Sequence, residues 1–132
     1  MLALRHADKA ISCGLEMLAK LPDISLKLKS EINLPHDLDI GIGIATGMVV
    51  VGNMGSRFRF SYSSLGDAVN TAARLEAMVK QKGAALSVAE STIQAALSKP
   101  GLIKIASLPV CGKSDHVVNV YSIAKASGAK LT

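Results

Sequence analysis

Residues 39–56 read DIGIGIATGMVVVGNMGS, and their alternation sets the expected fold. Ile40, Ile42 and Ile44 recur every second residue with Gly41, Gly43 and Ala45 between them, the period of a strand whose successive side chains point to opposite faces. One face is branched and apolar. The other is almost bare, which suits a helix or a partner's backbone approaching closely. Thr46 and Gly47 make a turn candidate and Met48 to Val51 a second strand, so residues 38–56 are expected to form a Gly-rich hairpin that ends over Gly52 to Ser56. Phe58 to Ser63 comes next as an exposed connector or a third strand.

Upstream, Ala3, Ala7, Ala10, Ile11, Gly14, Leu15, Leu18 and Leu21 fall on one helical face, which predicts a helix over residues 1–21 that packs on something and stops at Pro22-Asp23. Ile24 to Asn33 is ambiguous, a continuation helix being one reading of it, and Leu34 to Asp37 is a loop. Downstream, the apolar pattern from Gly66 predicts a helix over 66–82 with Gly83 as its stop. A strand at Ala84–Val88, a short helix at Glu90–Leu97 and a break at Pro100-Gly101 come next. Leu102–Val110 and His116–Ile123 form a final hairpin over 102–124 around CGKSD, and the tail AKASGAKLT is expected to fray. Two hairpins require antiparallel pairing, so the expected class is α+β, a helix layer over an antiparallel sheet.

The totals agree with one packed domain. The chain has 132 residues, 49% of them hydrophobic, but aromatics are only 3% and Trp is absent, so Leu, Ile, Val, Ala and Met must form the core. Net charge is +5, yet no basic run alternates with aromatics, which argues against a nucleic-acid partner. Cys13 and Cys111 make no CxxC pair, and His6, His36 and His116 are far apart, so there is no zinc signature. No apolar run is long enough to span a bilayer. The expected location is cytoplasmic, either free or as the cytosolic part of a membrane-attached parent.

Three stretches invite chemistry. GIGIATG spaces glycines somewhat like a dinucleotide fingerprint, but that motif must end a strand and open a helix, and here strand leads into strand. GKS at Gly112–Ser114 resembles the end of a P-loop, but Ser107 stands where the earlier glycine is required. Lys113 is a solvated turn lysine or a point charge for a polyphosphate. The third stretch is SLGDAVNTAARLEA, Ser64 to Ala77. Asp67, Asn70 and Arg74 stack on one face there, while Ala68, Val69, Ala72, Ala73 and Leu75 are assigned to packing. Asn offers a donor and an acceptor and Arg a cationic fork, a pairing suited to an anionic, hydroxyl-bearing ligand. An ordinary solvated face is the other reading of the same stripe.

The whole run from the Gly-Ile strand through Gly52-Asn53-Met54-Gly55, Tyr62 and Gly66-Asp67, Val69, Asn70, Ala72 and Arg74 resembles the class III nucleotidyl cyclases. The resemblance implies a ferredoxin-like, cyclase-type fold with an antiparallel-rich sheet and helices packed on it. It implies conversion of ATP or GTP to the 3′,5′-cyclic nucleotide and pyrophosphate, with Mg2+ or Mn2+, at sites shared between two chains of a homodimer or with a cyclase-domain partner. By the same resemblance Asn70 orients the ribose and Arg74 stabilises charge on the phosphates. Ser63 falls at the base-selecting position and Asp67 belongs to the substrate-binding set; Cys111 stands where the family has a basic residue for the terminal phosphates, and the nearest cation in sequence is Lys113, two residues on.

The family's two metal-binding aspartates and its base-selecting lysine precede the first helix. Asp8, Asp23, Asp37 and Asp39 are not placed to replace them, so residues 1–132 are expected to be one partial cyclase domain with no metal ligands of its own and an unpaired sheet edge. Three roles remain open: the C-terminal part of a cyclase, inactive by itself and more in keeping with adenylate than guanylate chemistry; a natural half-domain that dimerises with a metal-bearing cyclase and regulates or complements it; and a plain structural oligomer with no nucleotide role.

Overall fold

A computed structural model of the chain describes residues 5–57, 59–82, 84–97, 101–110 and 113–123. The expected stop at Gly83, the turn at Cys111-Gly112, Pro100 and the tail lie outside the described residues. Among the described residues the elements run in the order α1 (His6–Ile32), β1 (Ile42–Ile44), β2 (Val50–Ser56), β3 (Arg59–Leu65), α2 (Asp67–Lys82), β4 (Leu86–Ala89), α3 (Glu90–Ala95), β5 (Leu102–Val110) and β6 (Lys113–Ile123). Four strands form a sheet in the order β1-β4-β6-β5, and β2 and β3 form a separate two-stranded ribbon. Of these described pairs, β1 with β4 runs parallel and the others are antiparallel.

The alternation in residues 39–56 explains how the layers stack. Ile42 and Ile44 pack with Ala7, Ile11, Leu86 and Val88 in the cluster beneath α1. On the opposite face lies α2, and at Gly43 an added Cβ would sit 2.2 Å from the Ala72 carbonyl oxygen and 2.7 Å from the Glu76 nitrogen. The bare face therefore lets α2 approach backbone to backbone. The β4 strand repeats the division. Leu86 and Val88 join the α1 cluster, while Ala89 joins Leu75, Met78 and Val120 on the other side, and the buried Ser87 hydroxyl donates to the Leu75 carbonyl at 3.1 Å. Helices thus cover both faces of the sheet rather than one.

Two expectations are corrected. Residues 38–56 are not a hairpin: β1 pairs with β4, Ile42 opposite Leu86, and β2 pairs with β3, Val50 opposite Leu65 and Asn53 opposite Tyr62. Gly52 to Ser56 continue β2 instead of ending it. Thr46 does not turn the chain back, because its amide donates to the Ser91 hydroxyl at 3.2 Å and its own hydroxyl meets that of Thr92 at 2.9 Å. These bonds hold the exit of β1 against the start of α3. The second correction concerns Pro22, which lies inside α1. Pro22 is exposed, and the helix runs on past it to the buried Ser25, whose hydroxyl accepts the Leu38 amide at 3.0 Å.

Both ends of α1 are tied down. At its far end Asn33 adopts a left-handed cap (φ 54°) and donates to the Lys29 carbonyl at 3.2 Å. Lys29 also pairs with Asp37 at 2.6 Å, and its hydrogen bond and charge hold the Asp37 carboxyl below its ordinary value of 3.8. That tie is fully formed above the ordinary value and is lost as pH falls through the lowered one. At the other end the Leu97 amide donates to both Asp8 carboxylate oxygens, at 3.0 and 3.2 Å, joining α1 to the exit of α3. Asp8→Ala is expected to cost about 1.5 kcal/mol, the usual worth of a hydrogen bond to a charged group, measured as a shift in urea midpoint at unchanged slope.

Candidate functional site

The site is organised by α2. Gly66, at φ 155°, starts it: its carbonyl accepts the Val69 and Asn70 amides at 3.1 and 3.3 Å, and an added Cβ would lie 2.7 Å from the Met48 carbonyl. Only glycine suits both the dihedral and the space. From there Leu75 and Val79 are fully buried and Met78 nearly so, while Asp67, Asn70 and Arg74 are all exposed on one stripe. Ala73, expected on the packing side, is exposed as well; Ala68, Val69 and Ala72 are half-buried. The polar stripe thus faces away from the chain's own core.

Asp67 borders a cavity of about 460 Å³, which it shares with Thr71, Thr46, Glu90, Ser91 and Gln94. The cavity lies where β1 and β4 end and α2 and α3 begin. Glu90 is partly committed: it accepts the Asn119 amide at 2.8 Å, and Asn119 in turn accepts the Ser107 hydroxyl at 2.9 Å. Arg74 lines a much smaller niche, about 10 Å³, with Thr71, Leu75, Leu108, Pro109 and Val118. Asn70 and Ser63 border neither space. Ser63 sits across from Gly52 in the ribbon, and its hydroxyl donates to the Ser61 carbonyl at 3.3 Å. Lys113 opens β6 opposite Val110, which places its backbone beside the strand that carries Pro109.

Asn70, Arg74 and Asp67 are therefore gathered on one exposed face, whereas Ser63 stands apart on the ribbon. Thr46, Glu90, Gln94 and Pro109 reach the site from segments remote from α2, through the β1–β4 pairing and the terminal hairpin, whereas Thr71 stands four residues after Asp67 and three before Arg74 on the same helix.

Magnesium or manganese is implied by the family resemblance, and the residues can be tested for it. Among the described residues no group of three or more His, Cys, Asp or Glu side chains comes together, and Glu90 at the cavity is already engaged by Asn119. The described residues do not fit a metal centre. Among them, too, no helix is long and apolar enough to cross a membrane.

This arrangement has close counterparts. The family model for the adenylate and guanylate cyclase catalytic domain matches residues 2–120. An adenylate cyclase of Anabaena cylindrica is 33% identical over 125 residues, 89% of this chain and 24% of the relative. Adenylate cyclase 1 of Rhizobium meliloti (strain 1021) is 38% identical over 79 residues, 60% of this chain and 12% of the relative. The chain thus spans a quarter or less of the length of these relatives. Among solved structures, the guanylyl cyclase Cya2 superposes with a TM-score of 0.73 at 27% identity, covering 96% of this chain and 63% of that one. A bacterial light-regulated adenylyl cyclase gives 0.71 at 28% identity, covering 92% and 34%. With the family model covering residues 2–120 and the fold shared with two solved cyclases, the chain belongs to the adenylate and guanylate cyclase catalytic-domain family.

Proposed function

We propose that this chain supplies the asparagine–arginine half of a nucleotidyl cyclase site, in which Asn70 positions the ribose and Arg74 stabilises the charge that develops on the phosphates. In the reaction the ribose 3′ oxygen bonds to the α-phosphorus, the bond from that phosphorus to the α,β-bridging oxygen breaks, pyrophosphate leaves with the electron pair, and the hydroxyl proton passes to solvent. Such a transfer needs positioning and a preorganised cation more than covalent help from the protein. The observation that carries the proposal is the exposed Asn70–Arg74 stripe on a helix whose other side is locked to the sheet at Gly43. A group fixed in this way needs little reorganisation when substrate arrives.

The metal carboxylates come from cyclase sequence outside these 132 residues, either in the same polypeptide or in a second cyclase domain. The apolar side chains of the ribbon support a second domain as a neighbour. Met48, Val50 and Leu65 are more than half exposed, and Val51 nearly half. Val50 and Val51 are consecutive and so point to opposite faces of the ribbon. A two-stranded ribbon with apolar side chains on both faces is marginal alone and gains by being covered.

The 132-residue chain incubated with ATP or GTP and Mg2+ or Mn2+ is expected to form no cyclic nucleotide by mass spectrometry; sustained turnover would overturn the assignment of the metal half elsewhere. Adenylate chemistry is proposed over guanylate, supported by the relatives that are named adenylate cyclases. In a mixture with a metal-bearing cyclase domain whose own Asn and Arg are replaced, so that turnover runs through this chain's site, ATP should be turned over faster than GTP. Equal or reversed rates would reject that preference.

A further inference from the structure

We propose that the Leu108–Pro109 step of β5 is a ledge that positions Arg74. This deepens the proposed role of Arg74 and rests on it. Arg74 is exposed and belongs to no ion pair or hydrogen bond among the described residues. A long cationic side chain so placed samples many rotamers, and each one it must give up to reach a phosphate weakens the site. Arg74 is not surrounded by open solvent on every side, however. It shares with Leu108, Pro109 and Val118 a niche of about 10 Å³, no more than the room one water needs. The terminal hairpin therefore closes on the α2 stripe at the arginine.

The ledge has a reason to be stiff. Pro109 pairs with Val117, and the register of β5 on β6 shifts between Pro109 and Val110, so that Val110 faces Lys113. Proline fixes φ and offers no N–H to the ladder, which is why it is tolerated at an irregularity of this kind. The extra residues of this irregularity lie on β6, between Lys113 and Val117, so Pro109 keeps its place in the ladder and its ring stiffens the β5 wall beside Arg74. Leu108 supplies the rest of the wall; it is partly buried and packs against the cluster of Leu75 and Val120.

The test has a physical and a kinetic arm. In the 15N-labelled chain, the heteronuclear NOE of the Arg74 Nε–H group should be that of an ordered side chain, and should fall to less than half in Pro109→Gly. The amide spectrum of β6 away from the bulge should be retained. Leu108→Ala is the second variant, expected to act in the same direction if Pro109→Gly fails to fold. An Arg74 NOE unchanged in both variants overturns the ledge, whatever the chain's activity. In the two-chain cyclase mixture, Pro109→Gly should lower kcat about tenfold with KM within twofold, and should have no further effect in an Arg74→Ala background. Multiplying effects would show that Pro109 acts by another route and overturn the positioning role. Wild-type kcat in Arg74→Ala alone would instead reject the role of Arg74 itself.

Discussion

Arg74→Ala is expected to lower kcat by about 100- to 1,000-fold in the assembled cyclase, the usual effect of removing one preorganised donor aimed at transition-state charge. KM should change only a few-fold, because the arginine's contribution is made mainly as charge shifts toward the leaving pyrophosphate rather than when the nucleotide binds. Arg74 is exposed on α2, whereas Leu75 and Val79 carry the burial of that helix, so the substitution should leave stability within about 0.5 kcal/mol of the parent in a thermal melt. Arg74→Lys keeps the charge but loses the planar fork, and is expected to recover only part of the rate. A uniform rise in KM with kcat intact would mean that the arginine merely binds the nucleotide.

The largest expected effect on stability is at Gly43. A methyl group there would lie 2.2 Å from the Ala72 carbonyl oxygen, 2.7 Å from the Glu76 nitrogen and 3.1 Å from the Leu75 Cβ. Two of the three are backbone atoms of α2, which cannot swing aside as a side-chain tip can. Either the helix lifts off the sheet or the strand retreats, and both open the Leu75–Met78–Ala89–Val120 cluster. Gly43→Ala should therefore cost about 3 kcal/mol or more, at the upper end of overpacking effects. Gly52→Ala is the control. It sits in the ribbon with nothing within 4 Å of the added Cβ, and its urea midpoint should stay near the parent's. Equal loss in both variants would mean that glycine in a strand, not helix approach, sets the cost.

Gly43 also marks the limit of what the sequence makes legible. Its alternation with Ile42 and Ile44 predicts a strand with one bare face, and α2 lies on that face. Periodicity of two says which side chains share a face but not which strand is the neighbour, so β1 could not be assigned to β4 across more than forty residues. The tempting local partner, Met48–Val51, belongs partly to a different ribbon. The bounds of α2, by contrast, were legible because a glycine start and an unbroken apolar stripe are local signals. The antiparallel pairing of the terminal strands was legible for a similar reason, since a short turn segment joins them. Pro22 misled because a helix can run through a proline when the turns beyond it are held by tertiary contacts, as Ser25 is by the Leu38 amide, and local sequence does not show such contacts. The stripe of Asp67, Asn70 and Arg74 could be read as a face from spacing alone. Its neighbours Thr46, Glu90 and Pro109 are brought to it by chain segments remote in sequence.

The central claim is that Asn70 and Arg74 form the transition-state half of a cyclase site. It is tested most directly by mixing this chain with a cyclase domain that keeps its metal-binding carboxylates but has its own asparagine and arginine replaced, and measuring cyclic nucleotide. Product should appear on mixing, and should fall to the level of the separate chains when this chain carries Asn70→Ala and Arg74→Ala. A mixture that is no more active than either chain alone, or one that keeps its activity with both residues replaced, would contradict the account.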